Sequence, residues 1–360
     1  MIGLCRMTLH PVSVPLRHAW RIAHGTRTVQ HNLIVELSDA DGRAGLGEAA
    51  SIPYFGVTPE GLLASAETFR HAVQAAAWSE PAELWSALDA ARRPDEPADR
   101  FVQCAIDAAA HDLWGRVRGK PTRELLTEGH ADLTGEPPLS DYTLGMGTLD
   151  EIIAKAAEFP DFPIYKVKLG SGDLDADLAL VAGLRQALKA RGSDALLRVD
   201  ANTGWKADET IAAAPRLGVL GVEFIEQPMP VDSPAGELRR VRQFSTLPLI
   251  ADEACMVEAD IATCADSYDG VNIKLNKCGG MTPALRMIRD ARDRGLSVMM
   301  GCMTETSVGI SAIAQLLPFL DFVDMDGALL LADDPAAGVR VVDGVTVYPA
   351  GPGHGVELRG

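Results

Sequence analysis

Leu196-Leu197-Arg198-Val199-Asp200, Val222-Glu223-Phe224-Ile225-Glu226 and Leu249-Ile250-Ala251-Asp252 are three short apolar runs, each ending in an acid. The first two acids stand 26 residues apart, and so do the second and third. A repeat of about 25 residues is the length of one βα unit. Outward from these runs lie Asp141–Leu144, Ile164–Leu169, Val271–Leu275, Val298–Gly301 and Phe322–Met325, with helical spacing between them. Eight consecutive βα units predict a TIM-type barrel. After the eighth run, Gly327–Gly360 carries repeated Gly, Pro and Val with no helical period. The expected barrel therefore lacks its last helix and is a modified (β/α)7β barrel.

The N-terminal part reads as α+β. Leu4–Val14 and Asn32–Leu37 are strand-like, and Asp41-Gly42 marks a hairpin. Pro59–Ala77, Pro81–Ala91 and Arg100–Val117 have helical spacing. We expect an α+β capping domain over 1–125, the barrel over 126–328, and a C-terminal segment, 329–360, packing back on the cap. Trp20–Thr28 and Ser51–Pro59 are expected as mobile loops over the barrel mouth.

Composition is that of an ordinary globular chain, 47% hydrophobic and 23% charged over 360 residues. The net charge of −17 argues against nucleic acid or an anionic membrane as partner. It suits a local carboxylate cluster holding a cation. The six cysteines form no C-x-x-C pair, so neither a disulfide framework nor a zinc cluster is expected. The N-terminal stretch, interrupted by Arg6 and His10, does not read as a signal peptide, and no run of about 20 apolar residues is present. A cytoplasmic protein is expected.

In a barrel of this type the chemistry lies at the C-terminal ends of the strands. Asp200, Glu226 and Asp252 end three neighbouring strands, about 4.8 Å apart. Three inward carboxylates so close repel unless a cation lies between them. Oxygen ligands alone suit a hard ion, Mg²⁺ first and Mn²⁺ as the alternative. Each acid taken singly is also read as a solvated loop residue or a helix cap. Lys166 and Lys168 share one face of the second strand, and Lys274 comes from the strand four places away. Mutual repulsion between Lys166 and Lys168 is expected to depress proton affinity and make Lys168 a general base. A substrate on the metal would then lie between Lys168 and Lys274. Two structural salt bridges and a Schiff-base lysine are the other readings. None of the eight histidines falls within 131–353, so acid/base work in the barrel cannot rest on one. Asp324-Met325-Asp326 on the eighth strand would suit a clamp for a free ammonium; a plain turn cap before Gly327 is the other reading.

These strings resemble the enolase superfamily in its muconate-lactonizing-type subgroup. The matching residues are Lys166-Val167-Lys168, Asp200-Ala201-Asn202-Thr203-Gly204-Trp205, Glu226-Gln227-Pro228, Ala251-Asp252-Glu253 and Asn272-Ile273-Lys274-Leu275. Lys277-Cys278-Gly279-Gly280, Gly45-Leu46-Gly47-Glu48, Ile106-Asp107 and His111-Asp112-Leu113-Trp114-Gly115 extend the likeness over nearly the whole chain. The resemblance implies Mg²⁺ on Asp200, Glu226 and Asp252, an enolate formed when an α-proton leaves, proton exchange by Lys168 and Lys274, and Lys166 beside the enolate oxygen. It also implies a homo-oligomer.

Within the subgroup, the Asp324/Asp326 pair is most like that of dipeptide epimerases of the L-Ala-D/L-Glu type, where it takes the amine of the dipeptide. The expected activity is inversion of the α-carbon of the dipeptide's C-terminal residue by 1,1-proton transfer. N-acylamino-acid racemase, o-succinylbenzoate synthase and muconate-type cycloisomerase are the alternatives. For specificity we expect Arg27, Tyr54, Phe55 and Met303. Gly25 stands where relatives carry an arginine, with Arg17, His24 and Arg27 as candidate substitutes.

Overall fold

The computed structural model describes residues 2–3, 5–22 and 25–359, without the side chains of Trp20 and Ile22. Three antiparallel strands come first: β1 (Arg6–Ile22), β2 (Gly25–Ser38) and β3 (Ala44–Ala50), in the order β1-β2-β3. The Asp39 carboxylate accepts from the Asp41 and Arg43 N–H groups, and Gly42 takes φ +81°, which closes the β2–β3 hairpin. Helices α1 (Pro59–Ala75), α2 (Pro81–Ala91) and α3 (Pro97–Arg118) each begin on a proline, whose missing N–H costs nothing there. The hairpin glycines matter for packing. A Cβ on Gly47 would lie 2.0 Å from Ala105 O, and one on Gly45 2.2 Å from Ala109 O, so α3 lies directly on the β3 backbone.

The second part begins after α4 (Thr122–Gly129). Its strands are β4 (Tyr142–Leu144), β5 (Ile164–Lys168), β6 (Leu196–Asp200), β7 (Val222–Glu226), β8 (Leu249–Ala251), β9 (Gly270–Ile273), β10 (Ser297–Gly301) and β11 (Phe322–Asp324). They form one parallel sheet in chain order. A bridge between Ser140 and Val323 joins its two ends, so the ring is nearly closed. Helices α5 (Leu149–Glu158), α6 (Leu174–Ala190), α7 (Ala207–Val219), α8 (Ala235–Phe244), α9 (Asp260–Ser267), the single turn α10 (Leu275–Cys278), α11 (Met281–Asp293) and α12 (Ser307–Ala314) fill the connections. After β11 comes a 3₁₀ turn (Gly327–Leu330), and then the short pairs β12 (Ala336–Ala337) with β15 (Glu357–Leu358) and β13 (Arg340–Val342) with β14 (Val345–Val347). The architecture is the (β/α)7β barrel with an N-terminal α+β layer. Among the described residues, no helix is long and apolar enough to cross a membrane.

The period-two alternation of the strands sorts their side chains. Tyr165, Val167, Leu197 and Val199 join the large core between strands and helices. The other face fills the barrel in layers. Phe224, Ile250, Met299 and Phe322 pack low in the barrel, where the Arg198 guanidinium lies over both phenyl rings and bonds Asp141 at 2.8 Å. Two residues further along β5, β6, β7 and β11 stand Lys168, Asp200, Glu226 and Asp324. The mouth is thus charged because its residues follow the apolar plug in register.

Cap and barrel are tied by buried carboxylates. Glu48 on β3 accepts from Thr306 N and Oγ1 and from Gly309 N, at the start of α12. Asp107 on α3 accepts from Thr282 N and Oγ1 at the start of α11. These are helix N-terminal donors taking anions. From the other end of the chain, His354 N–H donates to Asp112, and Arg116 donates to Val356 O.

One expectation changes form. Of Trp20–Thr28, expected as a mobile loop, the described residues 20–22 and 25–28 belong to the far end of the β1–β2 ribbon, paired Trp20 to Arg27, Arg21 to Thr26 and Ile22 to Gly25. Polar residues hide the alternation there, while Thr26, Thr28 and Val29 favour extended backbone. Leu4 and His24 lie outside the described residues.

Candidate active site

The three acids converge as their strand positions require. One oxygen each of Asp200, Glu226 and Asp252 lies within 4.8 Å of the others, and all three residues are buried. The chain turns sharply just after the first two. Asn202, Thr203 and Gln227 have φ of 44°, 66° and 34°, a region that costs a non-glycine residue energy unless its surroundings impose it. Here they do. Asp200 Oδ1 accepts from Asn202 N–H, and Gln227 Oε1 accepts from the N–H groups of Asp252 and Ala254. Gln227 thereby sets the position of the third acid.

The lysines act as counterions to this cluster. Lys168 Nζ lies 2.5 Å from Asp200 Oδ2, and Lys274 Nζ 2.8 Å from Asp252 Oδ2. Lys166, fully buried, reaches Asp324 at 2.9 Å and Glu226 Oε2 at 2.6 Å. Burial works against the charge of all three ammonium groups, but the carboxylates outweigh it and hold each above the usual lysine range. The expected depression of Lys168 is thus reversed: beside Asp200 it gains more from the carboxylate than it loses to Lys166. Burial, together with Asp200, pushes Glu226 up to about 7. Asp252 is held well below its ordinary value because Lys274 and Lys277 overcome its burial.

The donor set fits a hard divalent cation. It is oxygen-only and buried. Glu226 Oε2, although close to Lys166, lies off the line of any hydrogen bond and ends without one. The other Glu226 oxygen accepts from Asn272 Nδ2 at 2.8 Å. With no hydrogen bond and the Lys166 ammonium at 2.6 Å beside it, Glu226 Oε2 is open to a divalent cation as well.

The cavity above this cluster is lined by Lys168, Lys274, Asp252, Asp324 and Asp326 from the barrel, Met303 from the loop after β10, and Arg27 and Tyr54 from the cap. Lys168 ends β5 and Lys274 directly follows β9, four places away in an eight-stranded ring, hence on facing walls. Gly301 makes room for Lys274: a Cβ there would lie 2.9 Å from Lys274 Cε and from the Asn272 amide. Arg27 donates to Gln30 Oε1 at 2.8 Å and to Ser51 O.

Three of the expected residues stand differently from their expected places. Gly25 is exposed near the end of the ribbon and does not line the cavity. Phe55 turns away from it and packs on Phe101 and Tyr54, because the Pro53–Phe55 turn can aim only one ring inward. Asp326 is not on the strand: β11 ends at Asp324, and Asp326 opens the 3₁₀ turn. It still faces the mouth, accepting from Thr143 N–H at 2.6 Å, while Thr143 Oγ1 donates to Asp324 at 3.2 Å.

Sequence reasoning missed other residues. Lys277 Nζ bonds Asp252 Oδ1 at 2.5 Å and Asp252 O at 2.6 Å. Its place three residues after Lys274, on the same helical face, was a usable signal. Thr143, Asn202, Glu253 and Ile52 also line the cavity. Thr143 lies on the short β4 and Glu253 just past β8, where the fold places chemistry, and Ile52 lies in the Ser51–Pro59 segment expected over the mouth.

Residues 150–360 match the family described as Enolase C-terminal domain-like, and residues 5–127 match the Mandelate racemase / muconate lactonizing enzyme, N-terminal domain. The chain belongs to the enolase superfamily. Among its relatives in this superfamily is an L-Ala-D/L-amino acid epimerase of Maribacter sp., 44% identical over 98% of this chain and 99% of the relative. Another of the same name, from Flavobacterium johnsoniae, is 42% identical over the same shares. A solved enolase-superfamily neighbour is the dipeptide epimerase of Methylococcus capsulatus complexed with Mg and L-Arg-D-Lys. It is 30% identical, with a TM-score of 0.88 over 99% of both chains.

Proposed function

We propose that this protein is a Mg²⁺-dependent dipeptide epimerase, an isomerase that inverts the α-carbon of a dipeptide's C-terminal residue. The observation that carries this reading is that Lys168 and Lys274, at the ends of strands on facing walls, flank one three-carboxylate cluster. The names of the relatives and of the solved neighbour support it.

Asp200, Glu226 and Asp252 would hold the ion, with Mn²⁺ as a substitute. When bound, Mg²⁺ supplies positive charge that takes over from the ammonium groups and lowers the cost of negative charge on a substrate carboxylate. The chain's own residues do the rest. One of Lys168 and Lys274, in its neutral form, takes the α-proton from one face. The other, protonated, returns a proton to the opposite face. The roles exchange for the reverse reaction. Lys166, clamped by Asp324 and Glu226, stays charged and holds that side of the site positive.

Asp324 and Asp326 receive the substrate's amine. Asp324 is held below its ordinary range, since Lys166 overcomes its burial, whereas Asp326 is pushed up by burial and by Asp324. Asp326 has no cation partner among the described residues, so an arriving ammonium supplies the missing charge. Arg27, Tyr54 and Met303 are the side chains placed to meet the rest of the substrate. Part of the same proposal is a cap of 1–125, a barrel of 126–328 and a closing segment of 329–360. So is a homo-oligomer working in the cytoplasm without a nucleic-acid partner, supported by the charge of −17 and six free cysteines.

The test is a set of mixed dipeptides incubated in D₂O with the Mg²⁺-loaded enzyme and read by mass spectrometry. We expect a one-dalton gain at the α-position of the C-terminal residue. Asp326→Asn should weaken free-amine dipeptides at least about tenfold more than N-acylated ones. Exchange confined to N-acylated amino acids would favour a racemase of that class. No exchange with either would end the proposal.

A further inference from the structure

The cavity holding the lysines continues past Thr143 and Leu330, which also line a second, smaller cavity of about 20 Å³. The second cavity exists because β1 leaves its register with β2 between Pro15 and Trp20. Pro15 has no N–H to give the ladder. Its carbonyl instead accepts from Ala332 N–H, and Leu16 bridges Leu331. This detour lays Leu16, Arg17 and His18 against β4 and α5. Leu16 and Leu329 form the apolar wall; Arg17, His18, Tyr142 and Lys155 form the polar one.

The polar groups are fixed but incompletely satisfied. Arg17 Nε donates to Leu331 O at 2.8 Å, which leaves its terminal nitrogens for another partner. His18 is bound to Glu158 at 2.7 Å. Tyr142 is only 2% exposed, its ring packed on Phe159 and Phe162, yet its hydroxyl has no hydrogen-bond partner among the described residues. Lys155, half-buried on α5, likewise makes no hydrogen bond or ion pair among the described residues. Glu151 and Glu158 influence it from its own helix, but they are engaged with Arg21 and His18. An exposed guanidinium engaged only through its Nε, a half-buried ammonium and a buried phenol line this cavity, and together they match an anion that also accepts a hydrogen bond.

Position supplies the rest. Thr143, the next residue after Tyr142, donates its N–H to Asp326. Thr143 and Leu330 line both cavities, so the proposed amine clamp and the cationic cavity adjoin. A side chain on the amine-bearing carbon would leave the clamp on the side of Thr143 and Leu330, the residues common to both cavities.

We propose that this cavity is a subsite for an acidic side chain on the first residue of the dipeptide, with Arg17, Lys155 and the Tyr142 hydroxyl as its donors. The inference rests on the dipeptide reading above. An amide side chain of the same shape would satisfy Tyr142 but leave both cations unmatched.

The experiment compares Asp-Xaa with Asn-Xaa, and Glu-Xaa with Gln-Xaa, in D₂O exchange, Xaa being one residue throughout. Ala-Xaa serves as reference, since relatives carry L-Ala in their names. The wild-type enzyme should prefer the better acid over its amide by about tenfold in kcat/KM. Lys155→Met should bring that ratio close to one while Ala-Xaa exchange stays unchanged. Lys155→Arg should retain the preference. Equal use of acid and amide by the wild type, or an unchanged ratio in Lys155→Met, overturns the subsite while intact Ala-Xaa exchange leaves the epimerase reading standing. Absence of exchange with every dipeptide overturns both.

Discussion

Lys274 and Lys277 approach Asp252 from one short turn, and only the first of them lines the cavity. Lys277 is 1% exposed and also bonds the carbonyl oxygens of Asp252 and Asn272, so it fixes the acid in place. The hydrogen bond of Lys274 runs to Asp252 Oδ2, and its ammonium faces the cavity, where a substrate can meet it. This difference separates their roles. Lys274→Ala should lower epimerisation by about 10³-fold in both directions, because each direction needs both faces. Exchange of the α-proton on the face served by Lys168 should survive in one stereoisomer, measured by proton NMR in D₂O. Loss of exchange from both stereoisomers, with the ion still bound, would mean that Lys274 also orients the substrate.

At the scale of elements, the site depends on what the neighbouring strand leaves out. Gly301 ends β10 beside β9, in the layer where Lys274 must pass. The atoms that a Cβ would meet at 2.9 Å belong to the side chains of Asn272 and Lys274. Such side chains yield more cheaply than backbone does. Gly301→Ala should therefore fold with little loss of melting temperature, yet lower kcat by about tenfold or more, since a displacement of 1 Å is costly to proton transfer. A large fall in melting temperature at unchanged kcat would contradict this. The contrast with Gly47 is informative, because there the obstacle is the α3 backbone at Ala105. Much of this scale was legible in the sequence. The eight strands stand where alternation and the 26-residue spacing put them, and the acids and lysines stand at the strand ends. What escaped were contacts between elements distant in the chain. Thr143 meets Asp326, Glu48 meets Thr306, and the β1 detour meets Leu331. No local period encodes such pairings. The direction of the Lys168 shift escaped for the same reason, since it depends on how near Asp200 comes.

For the whole molecule, the consequence of a buried three-carboxylate cluster is that ion binding and folding are linked. The acids come from β6, β7 and the end of β8, and they meet only when the ring closes. The unfolded chain cannot assemble them, so an ion that binds them stabilises the folded state. At a hundredfold excess over Kd the gain is about 2.7 kcal/mol. The ammonium groups of Lys168 and Lys274 already compensate two of the acids, so the ion must displace them and the observed gain should fall below that figure. Mg²⁺ or Mn²⁺ added to chelator-treated protein should raise the melting temperature by a few degrees, and excess chelator should reverse the rise. Asp252→Asn removes a ligand but keeps its shape, and should abolish the rise. Ca²⁺ should do less than Mg²⁺, because three ligands in a tight ring suit the smaller ion with its waters. If Asp252→Asn shifts as the wild type does, the ion binds elsewhere, and the cluster is held together by its lysines alone.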